Sequence, residues 1–476
     1  MSTARSLAKD VRVWLDRASG IDRRPAARIF ARWSRDGFAP AACRRDLEEL
    51  VDDGAAPAEW FDPAAITSGG RPANDALLFP TLPTGDAAWR FGACAQKTRG
   101  CSAELGAAEA RVIADLLRQS CGGDTSAAHQ RWSELVSPAL ADRALGAPPP
   151  ATWMSAAAPG IYRREHASLV IRSRTTTLLL DPLSREWALP NLAAAPSPPP
   201  SDRFDAVLVS HGHTDHWNVA SILCEARRAD TLVVVPAVPR VNLLTGVPFA
   251  DALAELGQAV VAPAWGTTLR IGDIDVDVLP FYGEQPTRDR PGVEAALRNW
   301  GNCYRFNTPD FSAIVLVDSG ADPAGDMIDA LTASFAARGP VDVVLSCLRV
   351  FPSPFFGGLA DQILTLSFDH LLALRRDYQR GTLPSTTAGP AGTAAACRAA
   401  RARYFLPYAH GIERAGVPIA DVGWGEAEPA EAELLGRLAA ALAAAGATTA
   451  VRAWNPGDCA IVDGTELAIR RARVCA

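Results

Sequence analysis

Ser210-His211-Gly212-His213-Thr214-Asp215-His216-Trp217-Asn218 follows directly on the apolar run Asp205-Ala206-Val207-Leu208-Val209. A run of that kind reads as a buried strand, so the polar stretch after it leaves the sheet as a loop beyond the strand end, where sites are commonly built. Residues i and i+2 of an extended segment point to one side, which lets His211 and His213 grip one metal ion together and leaves Asp215 and His216 for a second. The chain has seven histidines, and three of them fall within these six residues. Imidazole and carboxylate at that density point to metal more than to a solvated loop.

Working outward, 476 residues are enough for two domains or more with ample core. A formal net charge of -6 argues against nucleic acid as the main partner, which would favour a basic surface. Ten cysteines with no Cys-x-x-Cys and no compact spacing read as reduced thiols in a cytoplasm. There is no apolar signal region at the start and no window near the roughly 18 apolar residues of a membrane span, so a soluble cytoplasmic protein without a membrane partner is expected.

In the first third, Leu7, Val11, Trp14 and Leu15, then Ala27, Ile29 and Phe30, recur at helical spacing and predict a helical opening from Ser6 to about Ser34. Glu109 to Ser120 and Ser126 to Leu135 read as further helices, and His129, alone in the second, is given no role. Leu145-Gly146-Ala147-Pro148-Pro149-Pro150 is the stiffest stretch and the best boundary, dividing the chain into a smaller mixed, mainly helical domain (1–150) and a larger one (151–476).

Beyond the boundary, Ser168 to Arg172 and Thr176 to Asp181 predict a strand hairpin, with His166 just before it either near the site or satisfied elsewhere. The Ala/Pro/Ser-rich stretch Ala193 to Pro200 reads as a loop. Helices over Val219 to Arg227 and Ala250 to Leu256 alternate with strands over Thr231 to Val235 and Ile274 to Leu279, which is an α/β pattern. Further strands over Asn302 to Phe306, Phe311 to Val317 and Val341 to Ser346 follow, the second running into Asp318, and after them comes the stretch Tyr404-Phe405-Leu406-Pro407-Tyr408-Ala409-His410-Gly411 with His410. A helix from Asp361 to Tyr378 carries His370, read as structural. Phe351, Phe355 and Phe356 with Gly357-Gly358 would either wall the site or pack in the core.

His-x-His-x-Asp-His after a buried strand resembles the signature of the metallo-β-lactamase superfamily. The resemblance implies an αββα sandwich with a one- or two-metal site at an edge of its sheets, and Asp181 as a hydrogen-bonding support for the histidine loop. After the strand that ends at Leu279, most hydrolases of the superfamily supply a third histidine. This chain reads Pro280-Phe281-Tyr282-Gly283-Glu284-Gln285-Pro286, with no histidine between His216 and His370, and Glu284 is the natural replacement. Asp318 matches the bridging carboxylate and His410 the last ligand. The implied set is His211, His213 and Glu284 on one metal, Asp215, His216 and His410 on the other, and Asp318 between them, with Glu284 and Asp318 also the residues closest to catalysis. Three carboxylates shift the preference from zinc toward iron or manganese, although zinc still competes.

The glutamate is similar to that of one branch, the nonribosomal-peptide-associated diiron monooxygenases, which includes the β-hydroxylation of chloramphenicol biosynthesis. That resemblance implies a bridged pair of irons with O2 as co-substrate, and hydroxylation of an amino acid, at its β-carbon, carried as a thioester on a carrier (thiolation) domain. It also implies an external electron donor such as a reductase or ferredoxin, and an N-terminal domain used for dimerisation or for carrier docking. Tyr282, adjacent to the ligand segment, would support the ligands from outside. The alternative is a dinuclear zinc hydrolase acting on an ester, lactone or phosphodiester.

Overall fold

The structure, a computed structural model, describes residues 6–7, 11–19, 24–95, 101–120, 145–146, 158–164, 166–183, 204–288, 290, 294–355, 360–409, 431–455, 457–464 and 466–471. Two sheets dominate it. The first runs in the order Val260–Val261, Leu232–Val234, Ala206–Leu208, Thr177–Leu180, Leu169–Arg172, Gly160–Arg163, Asp458–Asp463 and Glu466–Arg471. The second runs Thr268–Ile271, Ile274–Pro280, Asn302–Asn307, Ser312–Val317, Val343–Ser346, Tyr404–Pro407 and Ala450–Val451.

The strand that precedes the histidine loop shows why it is apolar on every residue. Ala206 and Leu208 face the second sheet, in one cluster with Val276, Val278, Tyr304 and Phe306. Val207 and Val209 face the other way, onto the helices Val219–Ala226 and Phe249–Glu255. A strand covered on both faces needs no polar alternation. Helices Met327–Arg338, Gly389–Ala399 and Glu431–Ala444 pack against the second sheet, giving the expected helix–sheet–sheet–helix sandwich.

The chain opening departs from the expectation. Val11–Arg17 is a strand, paired antiparallel with Trp89–Ala95 over its whole length, and helix begins only at Arg24–Arg35. Val11, Val13 and Leu15 also alternate with period two, and a partner strand decides in favour of that period over the 3.6 spacing. The early elements do not stand apart from the sandwich. Leu15, Trp89, Phe91, Leu105 and the helix Ala107–Ser120 share the apolar cluster on the outer face of the first sheet. Helices Arg24–Arg35 and Pro40–Asp52 share another with Leu243, Leu297, Phe355 and Ile363. Trp33 meets Phe368 edge-on at 5.7 Å and Phe38 meets Phe355 at 6.0 Å, so Phe355 is core, not wall.

The helix expected from Asp361 to Tyr378 is split into Ala360–Thr365 and Phe368–Gln379, with the Ser367 hydroxyl accepting from the His370 amide at the break. The readings at 126–135, His129, Ala193 to Pro200 and Phe356 to Gly358 lie outside the described residues, as does all of the 145–150 boundary except its first two residues. Among the described residues no helix is long and apolar enough to cross a membrane, and Cys43, Cys224, Cys303, Cys347, Cys397 and Cys459 are unbridged.

Candidate metal centre

Asp181 ends the strand Thr177–Leu180 in a left-handed conformation (φ 44°) and is fully buried. Its carboxylate accepts from the Ser210 amide at 2.7 Å, the Ser210 hydroxyl at 2.6 Å and His216 Nδ1 at 2.8 Å. Because the Ser210 hydrogen is directed at Asp181, the 3.0 Å contact between Ser210 Oγ and His211 Nδ1 makes the imidazole the donor. Both histidines therefore carry a proton on Nδ1 and turn Nε2 inward. The loop then tightens: the His216 and Trp217 amides donate to the His213 carbonyl, and Asn218 caps the helix after it through the Ser221 amide.

Glu284 arrives from the loop after Ile274–Pro280, 1% exposed and with φ 50°. Its Oε2 lies 3.4 Å from His211 Nε2 and 3.2 Å from His213 Nδ1. Asp318 follows Ser312–Val317, where the pairing with Val343–Ser346 shifts register at Val317, and puts Oδ2 3.4 Å from His216 Nε2. Asp215 Oδ2 lies 3.6 Å from the same nitrogen. Ligands on a four-coordinate ion with bonds of about 2.1 Å lie about 3.4 Å apart, and these separations match that better than hydrogen bonds.

A four-residue strap, Arg298-Asn299-Trp300-Gly301, holds this half of the site. Gly301 pairs with His211, and a Cβ there would sit 2.8 Å from the Phe281 ring and 2.9 Å from the His211 Cβ, so only glycine fits. Asn299 Nδ2 donates to Glu284 Oε2 at 2.9 Å. Arg298 donates to the Phe281 carbonyl at 3.0 Å and to Asp322 at 2.5 Å, while Asp322 accepts from the Gly283 amide at 2.9 Å. The guanidinium sits among Trp265, Tyr282 and Trp300, 5.5–5.7 Å from each ring centre. Tyr282 thus supports the glutamate loop through Arg298. Gln362 Nε2 adds a bond to the Glu284 carbonyl at 2.7 Å.

The electrostatics of the cluster call for a cation. Burial, with Asp318 and Asp215 nearby, pushes the Glu284 carboxyl well above the usual carboxylate range. Burial, with His216 and His213 beside it, pushes the His211 imidazole well below its usual value. For Asp318 burial acts upward, but His216, Arg349 and His211 outweigh it and hold the carboxyl well down. His211 Nε2, His216 Nε2 and Asp318 Oδ1 are all buried without a hydrogen-bond partner. Unpartnered buried lone pairs facing one space are costly unless an ion accepts them, so the residues present fit metal.

Among the described residues, three groups of metal-binding type emerge: His211, His213 and Glu284; His211, His216 and Asp318; and His166, Asp215 and His216. Six of the seven expected ligands are thus brought together, and the seventh, His410, lies outside the described residues. Ala409, the residue before it, donates its amide to the His166 carbonyl at 3.2 Å. Two contributors were not assigned from sequence. His166 is 2% exposed with Nε2 2.8 Å from Asp215 Oδ2, and Asn299 is 1% exposed against Glu284. His370 stays half-buried, away from these groups.

Residues 176–336 match the model of the beta-lactamase superfamily domain. The chain has the metallo-β-lactamase fold. Over nearly its whole length it is similar to CmlA, a diiron beta-hydroxylase from Streptomyces venezuelae, with 17% identity, 95% of this chain and 99% of that one covered, and a TM-score of 0.56. A mutant of the same beta-hydroxylase aligns with 17% identity, 94% and 98% coverage and a TM-score of 0.52. The metallo-beta-lactamase fold protein YhfI from Bacillus subtilis aligns over 63% of this chain and 95% of its own, with 13% identity and a TM-score of 0.38. Comparison with curated proteins returned no match.

Proposed function

We propose that this chain is an O2-dependent non-haem diiron monooxygenase. Its substrate is an amino acid held as a thioester on the carrier domain of a nonribosomal peptide synthetase, hydroxylated at the β-carbon. The observation that carries this reading is the carboxylate of Glu284, 3.4 and 3.2 Å from the two imidazoles of the His-x-His pair, where a zinc-suited site would use a third imidazole. With Asp215 and Asp318 it makes three oxygen donors, a set suited to iron. Similarity to a diiron beta-hydroxylase over 95% of the chain, early elements included, supports the same reading.

His211, His213 and Glu284 would hold one ion, Asp215, His216 and His410 the other, and Asp318 both. Bound there, reduced iron would supply the activation of O2, one oxygen atom entering a C–H bond and the other leaving as water, with a pair of electrons from a separate donor protein and a pair of protons from solvent. The chain's own groups prepare the site. Asp181 and Ser210 fix the inward-facing Nε2 of His211 and His216, Asn299 steadies Glu284, and Phe281, stacked on His211 at 5.0 Å, keeps water from that flank. Residues 1–150 would be the accessory part, docking the carrier or pairing two copies.

Elemental analysis and O2 uptake test the proposal together. About two irons per chain are expected, with O2 consumed when an aminoacyl carrier domain and a reductant are supplied. Two zincs retained after growth in iron, with hydrolysis of an ester or lactone that ignores oxygen, would overturn it.

A further inference from the structure

The second metal position has a residue outside the seven ligands expected from sequence, although it groups with Asp215 and His216. His166 lies in the turn between the strands Gly160–Arg163 and Leu169–Arg172, closed by the Arg164 amide on the Ser168 carbonyl at 2.9 Å. Its backbone is left-handed (φ 51°), a conformation that costs a non-glycine residue about 1–3 kcal/mol and clusters at functional sites. The side chain is buried, 5.7 Å from the His216 ring centre to centre, with Nε2 2.8 Å from Asp215 Oδ2. Nδ1 has no hydrogen-bond partner. Since a carboxylate can only accept, Nε2 carries a proton and is the donor.

We propose that His166 is the positioning residue of the second metal position: its Nε2–H donates to Asp215 Oδ2, the oxygen that stands 3.6 Å from His216 Nε2, and so fixes the orientation in which that carboxylate meets the ion. The inference rests on the dinuclear reading above. Asp215 is the most exposed of the three carboxylates, 22% against 1% for Glu284 and 2% for Asp318, so it has the greatest freedom to swing or to bind through both oxygens. Glu284 is held in the same manner by the amide of Asn299. Each carboxylate that serves a single ion is therefore gripped by one N–H donor from a separate segment. The strained turn makes this possible, because it is also tied to the last metal-binding strand by the Ala409 amide.

The test is titration of the metal-free protein with cobalt(II), followed by its visible absorption and by calorimetry, for wild type, His166→Ala and His166→Gln. Wild type should take up two ions. His166→Ala should keep the first and bind the second roughly 10–100-fold more weakly, the usual effect of removing an outer partner. His166→Gln, whose amide N–H can reach Asp215, should recover most of that loss. Circular dichroism and the unfolding midpoint of the metal-free variants check that the fold is intact. Unchanged binding in His166→Ala overturns the proposal, and so does a Gln variant as weak as Ala, which marks the imidazole itself as a ligand. A wild type that takes up fewer than two cobalt ions overturns the dinuclear reading instead, and this inference with it.

Discussion

Replacing Arg298 by methionine removes a charge that the glutamate loop leans on. The side chain is 8% exposed and its partner Asp322 is 0% exposed, so the pair is screened little by solvent. The substitution deletes both bonds to Asp322, at 2.5 and 3.3 Å, and the bond to the Phe281 carbonyl at 3.0 Å. Breaking a buried ion pair from one side costs about 3–5 kcal/mol. Asp322 keeps the amides of Gly283 and Ala324 at 2.9 and 2.8 Å, and methionine refills part of the aromatic cage, so the lower end, ~3 kcal/mol, is expected. The same change frees the loop carrying Glu284, and binding of the first metal should fall with it. Urea unfolding of the metal-free protein, followed by two independent probes, measures the stability term, and cobalt titration measures the second. A double variant, R298M with D322L, should regain part of the loss because no orphaned charge remains. A loss below ~1 kcal/mol in R298M with metal binding intact would show that the strap does not position the glutamate.

Asp181→Ala takes the acceptor from the Ser210 amide, the Ser210 hydroxyl and His216 Nδ1, and should weaken metal binding roughly 10–100-fold in a chelator competition; unchanged affinity would contradict the tautomer assignment. Glu284→His should keep the circular dichroism of the wild type, raise the preference for zinc over iron and abolish O2-dependent turnover, and undiminished turnover would remove the glutamate from the mechanism. Asp16 is a stability test away from the centre. Burial, only partly opposed by Arg90, raises its carboxyl from 3.8 to about 6. A raised folded-state value means that the stability it lends is present below about pH 4 and lost as pH rises through about 6. Asp16→Asn should therefore gain roughly 1–3 kcal/mol over wild type at pH 8 and little at pH 4, the partly exposed side chain favouring the low end. An equal gap at both pH values in urea midpoints would refute the assignment.

The histidine loop was legible because its chemistry is local: one buried strand, one turn and an i, i+2 pair need no knowledge of distant residues. Asp318 could be placed because it ends an apolar strand, and Glu284 because the family resemblance expects a ligand after the strand Ile274–Pro280, where no histidine stands. His166 and Asn299 carried no such mark. His166 meets Asp215 across 49 residues and Asn299 reaches His213 across 86, and only sheet register brings those segments together. The opening strand Val11–Arg17 was misread for a related reason. Its sequence satisfies two periods at once, and the deciding partner, Trp89–Ala95, lies more than 70 residues away. Phe355 stood equally open between wall and core until Phe38, from the N-terminal third, was found beside it.

The order of the first sheet sets a timetable for synthesis. Gly160–Arg163 stays an open edge until Asp458–Asp463 pairs with it, yet the strands of 160–261 leave the ribosome about 200 residues earlier, a delay of about 10–40 s at 5–20 residues per second. Early in that interval, until Glu284 and then Asp318 are made, Asp215 is the one expected carboxylate ligand beside the histidines, a nitrogen-rich grip with less means of favouring iron over zinc. Loading with the full carboxylate set must then wait until Asp318 has been made, and the growing chain presents an unpaired strand edge that invites association with its neighbours on the polysome. Slow-translating codons or chaperone capture in the stretch after residue 261 would act on metal identity as well as on yield.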